Sequence, residues 1–430
     1  MKSKIIYLIA FIFPLLANAQ PSNNGGFSFG GFLNSIQGKI DSLTNGVNPM
    51  TSGVPIPREI PKEWLPNNAL AVGSSHVLYL TKTGKVYGWG SNRMGQLAQG
   101  RSEGRGATGE EVVSYQNTDF LKPVVIPLEN VIAVYAAGNA SYALKPDGTV
   151  WAWGDKRYAG RGSYQEGSIQ IVPAKIEGLP PIAKLAPWTR GVYAYDIEGK
   201  IWVWGNADQA SMLQGLEFRS ASSGTPIASR LGSPIDVRPS SYGNATYFLT
   251  SDGRLWNPSH MNDPISPFTF DIIFGDSAYT QTYIYGKTKD DKIYRWPEGA
   301  AERYSNGTAK HPMTLIERVG SPIDVARGNG FAAFMQADGS FIVWGGEAPM
   351  GGGFTPFLTG MDSAVNIPQA VKYKERIVAA KSHPLGIFFL TESGSVLNHG
   401  ATGTKEIAMR KGNANGRTLT ELVRPEQLPD

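Results

Sequence analysis

One pattern recurs along this sequence: an alternating apolar run, a two-residue turn, and a second run that often ends in tryptophan. A clear copy is Ser141–Gly154, SYALKPDGTVWAWG. Such turns between alternating runs are the strongest short-range signal for a β-hairpin, and we expect type I′ turns, in which both central residues have positive φ. The seven turn pairs are Thr83-Gly84, Asp147-Gly148, Glu198-Gly199, Asp252-Gly253, Asp290-Asp291, Asp338-Gly339 and Ser393-Gly394.

The spacing of these hairpins predicts the architecture. The second turn residues are separated by 64, 51, 54, 38, 48 and 55 residues. Repeats of about fifty residues that contain several short strands are typical of β-propellers. We therefore predict an all-β fold, a seven-bladed β-propeller of four-stranded blades, over residues 54–430.

Tryptophan follows the turn at a fixed distance in five repeats, and we expect these rings to pack between neighbouring blades. In the fourth and seventh repeats the same position holds Pro258 and His399. The five tryptophans are Trp89, Trp153, Trp204, Trp296 and Trp344.

Runs rich in proline and β-branched residues lie upstream of the hairpins. We expect them to form outer strands, because proline is tolerated at a sheet edge. Two such runs start at Val54 and Leu422, near the two ends of the sequence. One of them is expected to complete a blade that spans the chain termini, and the sequence does not decide which.

The first repeat resembles the regulator of chromosome condensation family. Its run Val72–Gly100 carries the elements of the family signature in order. The resemblance extends over roughly residues 54–430, at full strength only in this repeat, and implies a seven-bladed propeller. The matching residues are Gly73, His76, Gly84, Trp89-Gly90 and Gly95-Gln96-Leu97.

The founding members of that family catalyse nucleotide exchange on a small nuclear GTPase and bind chromatin. We do not expect this activity here, because the N terminus predicts export and no segment matches the exchange element. The chain is similar instead to exported bacterial propellers, some of which resemble protein inhibitors of secreted enzymes.

The export prediction rests on the first 19 residues, which have the layout of a signal peptide. Lys2 and Lys4 precede an apolar run, Ile5–Leu16, and Ala17-Asn18-Ala19 offers a small-residue cleavage pattern. Residues 20–53 form a leader rich in Gly, Ser and Asn, either flexible or weakly helical. We expect a periplasmic or extracellular protein without stable membrane insertion.

Composition excludes several kinds of chemistry. The chain has no cysteine, so thiol catalysis and cysteine-ligated metals are ruled out. The formal net charge is only +4, and no block of like charges indicates a nucleic-acid partner. The five histidines have no metal-binding spacing, and we expect no cofactor, no metal and no catalytic residue.

The face opposite the hairpins carries the variable loops. Its third-to-outer connections are Ser91–Asp119, Gly205–Arg230, Pro297–Lys310 and Gly345–Pro368, and loops of this length are usually functional. The short loops near the channel mouth carry aromatic and polar side chains that either bind a partner or pack over neighbouring loops. These candidate partner-binding residues are Trp188, Arg190, Tyr242, Asn244, Tyr279, Asn329 and His383.

We interpret the chain as an exported, non-catalytic protein-binding propeller that uses its loop-bearing face. The alternative is a carbohydrate-binding or carbohydrate-active propeller with its site at the channel mouth. That alternative requires two carboxylates about 5–10 Å apart across a bound sugar. The candidate carboxylates are Glu110-Glu111, Asp271, Asp276, Asp290-Asp291 and Glu347.

Overall fold

The computed structural model of the protein describes residues 65–99, 103–105, 111–113, 119–156, 158–160, 169–188, 191–205, 227–228, 236–239, 246–256, 266–274, 283–297, 313–328, 331–345, 365–383, 386–400 and 420–429. All of them lie within one compact unit, Pro49–Asp430. The predicted signal peptide, the leader and the run from Val54 lie outside the described residues. No helix in the described ranges is long and apolar enough to span a membrane.

Seven sheets follow one another along the chain, and we number each sheet after the hairpin it contains. Sheet 1 consists of β1 (Leu70–Val72), β2 (His76–Leu80), β3 (Val86–Ser91) and, after a separate hairpin of β4 (Glu103–Arg105) and β5 (Glu111–Val113), β6 (Asp119–Ile126). Sheet 2 consists of β7 (Ala133–Ala137), β8 (Ala140–Leu144), β9 (Val150–Asp155) and β10 (Ile169–Lys175). Sheet 3 consists of β11 (Ile182–Trp188), β12 (Gly191–Asp196), β13 (Ile201–Gly205) and β14 (Ile227–Ala228).

The remaining sheets continue the same order of strands. Sheet 4 consists of β15 (Asp236–Pro239), β16 (Thr246–Leu249) and β17 (Leu255–Trp256). Sheet 5 consists of β18 (Phe270–Phe274), β19 (Tyr283–Thr288), β20 (Ile293–Pro297) and β21 (Thr314–Ile316). Sheet 6 consists of β22 (Asp324–Gly328), β23 (Phe331–Met335), β24 (Phe341–Gly345) and β25 (Val365–Val371). Sheet 7 consists of β26 (Ile377–His383), β27 (Gly386–Thr391), β28 (Val396–Gly400) and β29 (Thr420–Val423). Two short 3₁₀ turns, Pro66–Asn68 and Pro425–Gln427, flank the described strands.

The fold is an all-β propeller, but its described residues form six four-stranded blades and not seven. Sheet 4 has three strands, and its third strand, β17, is only two residues long. The sequence contains a physical reason for this difference. Pro258 follows that strand where five repeats have tryptophan, and proline removes a donor from a sheet ladder.

The sheets contact one another in chain order, and the last sheet returns to the first. The inner strands β1, β7, β11, β15 and β18 are in contact in this order, and β22 contacts β26, which contacts β1. Sheets 5 and 6 share an apolar cluster that contains Phe274 and Val325. Each described sheet uses contiguous chain, and of the two runs expected to complete a terminal blade, the C-terminal one supplies a described outer strand. The outer strand of sheet 7 is β29, from the C-terminal part of the chain.

The contact between sheets 7 and 1, which we call the seam, is formed by side chains and the C-terminal segment. Val423 is buried in one apolar cluster with residues of sheets 1 and 7, and Leu428 packs against that cluster. The Tyr87 hydroxyl donates a hydrogen bond to the carbonyl of Pro429 at 2.9 Å. Among the described residues, no strand is shared between the two sheets at the seam.

All seven predicted hairpins are present, but their turns are not type I′. In the first turn the N–H of Gly84 donates to the carbonyl of Thr81 at 3.0 Å, and Gly84 has φ of 82° while Thr83 does not have positive φ. This is a type I turn followed by one left-handed residue. The same arrangement recurs in the other six hairpins, where the left-handed residues are Gly148, Gly199, Gly253, Asp291, Gly339 and Gly394.

The Trp-Gly pairs have a backbone explanation. Gly90 and Gly154 have φ of 104° and 95°, a region that side chains other than glycine rarely adopt. A Cβ atom added to Gly154 would also lie 2.4 Å from the carbonyl oxygen of Asn139. Glycine is therefore required after the tryptophan, where the third strand passes close to the loop before the second strand.

The prolines of the outer strands mark a recurring bulge. In sheets 1, 2 and 6 the pairing between the third and outer strands shifts register opposite the tryptophan. Pairing resumes at the residue immediately after Pro123, Pro173 or Pro368. These prolines therefore interrupt the sheet edge, which is a common protection against pairing with another chain.

Candidate functional site

The loop-bearing face, opposite the hairpin turns, is underlain by junctions between consecutive sheets. Side chains near the ends of the inner and second strands reach across each described junction. These contacts decide which side chains are available to a partner. An aromatic side chain that is packed between two sheets cannot also contact a partner protein.

The junction between sheets 1 and 2 is closed by a buried polar network. The Ser141 hydroxyl donates to the carbonyl of Gln96 at 2.9 Å and lies 2.8 Å from Nε2 of His76. The serine has one proton, which it gives to Gln96, so its oxygen accepts from an Nε2–H of histidine. The Trp153 indole donates to the same Gln96 carbonyl at 2.6 Å.

His76 is held neutral in this network. The side chain is fully buried, and burial lowers the pKa of His76 from 6.5 to about 3. A proton added at Nδ1 would be buried without a described hydrogen-bond partner. The interpretation of His76 as a structural histidine fits this geometry, because the ring has no path to a substrate.

At the junction between sheets 2 and 3, a main-chain carbonyl again accepts hydrogen bonds from side chains, here of both sheets. The Trp204 indole donates to the carbonyl of Tyr158 at 2.8 Å, and the Tyr142 hydroxyl donates to the same carbonyl. Trp204 is buried in the apolar cluster of sheet 2. The expectation that the repeated tryptophans pack between neighbouring sheets is confirmed here and at Trp153.

Trp188, one of the candidate partner-binding residues, is buried in the structure. The side chain is only 4% exposed and lies 4.7 Å from the ring of Tyr193, centroid to centroid. Tyr193 in turn packs edge-to-face on Phe248 of sheet 4. Trp188 and Phe248 belong to one apolar cluster that joins sheets 3 and 4. The ring of Trp188 folds back over Gly191, where a Cβ would clash with it.

His383 is also buried, so it does not present a side chain to solvent. It is 3% exposed, its Nε2 lies 3.4 Å from the carbonyl oxygen of Ser74 across the seam, and it packs on Phe388. Burial lowers the pKa of His383 to about 4, opposed by the hydrogen bond to Ser74. Both Trp188 and His383 are therefore held in packing contacts within the described structure.

The other predicted partner-binding residues lie outside the described residues and stay predictions. They are Arg190, Tyr242, Asn244, Tyr279 and Asn329.

The junction between sheets 5 and 6 contains two arginines that the sequence reasoning missed. The Arg295 guanidinium lies over the ring of Tyr283 at 4.1 Å and over the ring of Trp344 at 4.3 Å. Arg327 is 1% exposed and donates from Nη1 to the carbonyl of Tyr283 at 3.1 Å. No local motif signals this cluster, because its members are distant in sequence.

Of the candidate carboxylates, Glu110, Asp276 and Glu347 lie outside the described residues. Asp290 and Asp291 lie in a hairpin turn on the opposite face, where Asp290 pairs with Lys292 at 2.7 Å. Buried Asp196 accepts hydrogen bonds from its own hairpin, including one from the Trp202 indole at 3.0 Å. Among the described residues there is also no group of three potential metal ligands.

The fold and its junctions define a class of protein, the repeat-built β-propeller with a ring of sheets closed by side chains. Residues 68–96 match the family described as "Regulator of chromosome condensation (RCC1) repeat". Over this repeat the chain is similar to the RCC1-type β-propellers.

Similar proteins include "Protein pim1" of Schizosaccharomyces pombe, 29% identical over 55% of this chain and 38% of the relative. The "Regulator of chromosome condensation" of Mus musculus is 27% identical over 46% of this chain and 44% of the relative. The chain thus matches less than half the length of these relatives. The crystal structure of Prp20p from Saccharomyces cerevisiae aligns with 83% of this chain and 77% of that chain, at 19% identity and a TM-score of 0.44.

Proposed function

We propose that the protein is an exported, non-catalytic propeller that binds a protein partner through its loop-bearing face. RCC1-like propellers are a protein-interaction fold. Among the similar structures, Prp20p has binding properties to Gsp1p and histones, and yeast RCC1 (Prp20) has been crystallised with Kap60 bound. Nucleotide exchange is not part of the proposal, because the predicted export separates this chain from GTP-dependent partners.

The observation that carries the proposal is that buried side chains connect neighbouring sheets beneath that face. Trp153, Trp204, Trp188 and His383 each fix the ends of neighbouring strands with buried contacts. Loops that start from fixed strand ends lose less conformational entropy on binding. The long third-to-outer connections all leave from this face, whereas the opposite face carries seven short hairpins of one type.

We further propose that sheet 4 is the remaining blade of a seven-bladed ring. It lies between sheets 3 and 5 in the order of contacts between inner strands. Its three strands follow the same inner-to-outer order as those of the complete blades.

The proposal is tested by affinity capture with the full chain from envelope and secreted fractions of its own source. A loop-face variant, Arg190→Ala/Tyr242→Ala/Tyr279→Ala, is compared with a hairpin-face variant, Lys82→Ala/Arg254→Ala/Lys289→Ala. Trp188 is left unchanged because its substitution would disturb packing. We expect one protein to be captured by the unsubstituted chain and by the hairpin-face variant but lost by the loop-face variant.

Two outcomes contradict the proposal. Capture that is lost only in the hairpin-face variant would place the site on the other face. Absence of any protein partner, together with binding on a glycan array, would favour the carbohydrate-binding alternative. Export is tested separately by sequencing the N terminus of the protein from the same fractions, where we expect a chain that begins at Gln20.

A further inference from the structure

The cluster of Tyr283, Arg295 and Trp344 differs from the other described junctions. All three side chains are partly exposed, whereas the residues that close the junction of sheets 1 and 2 are buried. The guanidinium of Arg295 lies between two aromatic rings, one from sheet 5 and one from sheet 6. Such stacking holds the planar group in a fixed orientation while its outer edge stays available for hydrogen bonds.

Arg295 has no carboxylate partner among the described residues. Of its three guanidinium nitrogens, only Nε is a buried atom without a hydrogen-bond partner. The two terminal nitrogens therefore remain accessible to solvent. A fixed guanidinium with two free donors matches the geometry of a carboxylate, which accepts two parallel N–H bonds.

A second guanidinium lies at this junction. Arg327 is buried beside it and hydrogen bonds to the main chain of Tyr283. Both guanidiniums act on the buried hydroxyl of Tyr285: burial raises its pKa to about 12, and the charges of Arg295 and Arg327 oppose that rise. Two cations thus lie near one partly exposed aromatic surface.

We propose that Tyr283, Arg295 and Trp344 form a binding site for a carboxylate side chain in an acidic segment of the protein partner. This inference rests on the proposed function and adds the chemistry of the partner to it. Tyrosine, tryptophan and arginine are the residue types enriched at the centres of protein interfaces. The carboxylate pairs with the terminal nitrogens of Arg295, and the neighbouring apolar atoms of the partner pack on the two exposed ring edges.

The site is tested with defined peptides and the full chain. Fluorescence anisotropy measures the binding of labelled hexaglutamate and labelled hexaglutamine at low and high salt. We expect hexaglutamate to bind more tightly, with binding weakened by salt. Arg295→Gln should raise its Kd about tenfold or more, because a charge-assisted hydrogen-bonded pair is lost.

Arg254→Gln is the matched control, because it removes an arginine that pairs with Asp252 on the hairpin face. It should leave the Kd for hexaglutamate unchanged. Arg295→Lys keeps the charge without the planar fork, and we expect an intermediate Kd. Quenching of tryptophan emission by hexaglutamate is a second measurement, which Trp344→Phe should reduce even if Arg295→Gln does not fold.

Equal Kd values for the unsubstituted chain and a folded Arg295→Gln would overturn the inference. So would the absence of any preference for hexaglutamate over hexaglutamine. If either result is found while the capture experiment still yields a loop-face partner, the proposed function stands and only the carboxylate site is wrong. If no partner is captured on the loop face, the function itself fails.

Discussion

The indole nitrogen of Trp153 in sheet 2 donates a hydrogen bond to the carbonyl oxygen of Gln96 in the loop that follows the third strand of sheet 1. This bond joins two sheets that share no strand pairing. Because the indole and the carbonyl are both buried, the bond contributes to the cohesion of the ring and not only to the local loop.

Trp153→Phe should therefore destabilise the fold by about 1–3 kcal/mol, since it keeps most of the packing but removes a buried donor. Trp151→Phe is the matched control, because the half-buried Trp151 indole donates only to Thr149, two residues away. We expect the control to cost about 0.5 kcal/mol or less. Urea unfolding measures both values, and equal losses would contradict this role of Trp153.

Gly154→Ala should destabilise the protein by roughly 2–4 kcal/mol, because it combines backbone strain with a clash. Gly178→Ala separates the two effects. Gly178 has a similar φ of 80°, but a Cβ added there meets no atom within 4 Å. We expect that control to cost about 1–2 kcal/mol from strain alone, and the difference between the variants in urea unfolding gives the clash.

Stability should fall as the pH drops from 7 to 5, in part because of His76. Its folded pKa of about 3 lies below the unfolded value of 6.5, so the unfolded chain binds the proton first. The contribution is present above the unfolded pKa of 6.5 and is lost progressively as the pH falls from 6.5 to the folded pKa of about 3. The difference in proton binding between the unfolded and folded chain lowers the free energy of unfolding by about 2 kcal/mol at pH 5 relative to pH 7.

His76→Gln should lower the number of protons that the chain takes up on unfolding by about one. The proton that His383 takes up on unfolding should remain. The comparison of free energies of unfolding at pH 7 and pH 5 tests this. An unchanged pH dependence in a folded variant would show that His76 is protonated in the native protein.

Ending the chain after Val423 should weaken the seam. The truncation removes Leu428 from its apolar cluster and the Pro429 carbonyl from Tyr87. We expect a loss of roughly 1–3 kcal/mol from these two contacts, measured as a lower unfolding midpoint and faster limited proteolysis. Tyr87→Phe, which loses only the hydrogen bond, should show the smaller part of this loss.

The repeated parts of the fold could be predicted from the sequence because they are local. The hairpins depend on residues that lie within about fifteen positions of one another, and the tryptophans repeat at a fixed distance from each turn. The turn subtype could not be predicted, since Asp147-Gly148 suits both a type I′ turn and a type I turn followed by a left-handed residue.

The candidate site was less predictable because it depends on contacts between sheets. Whether Trp188 faces solvent is decided by Tyr193 and by Phe248 of the next sheet. The stacked Arg295 requires Trp344, which lies almost fifty positions away in the chain. No pattern in one repeat contains this information. A glycine three residues after Trp188 was the one local sign that its ring folds back onto the backbone.

The side-chain seam has a topological consequence. Every described sheet is made from one uninterrupted piece of chain, so a new pair of ends between sheets 2 and 3 would break no strand pairing. A circular permutant that joins the present ends by a flexible linker and opens near Gly178 therefore keeps every described strand pairing intact. In such a molecule the contact between sheets 7 and 1 lies inside the chain, and the new ends lie between sheets 2 and 3.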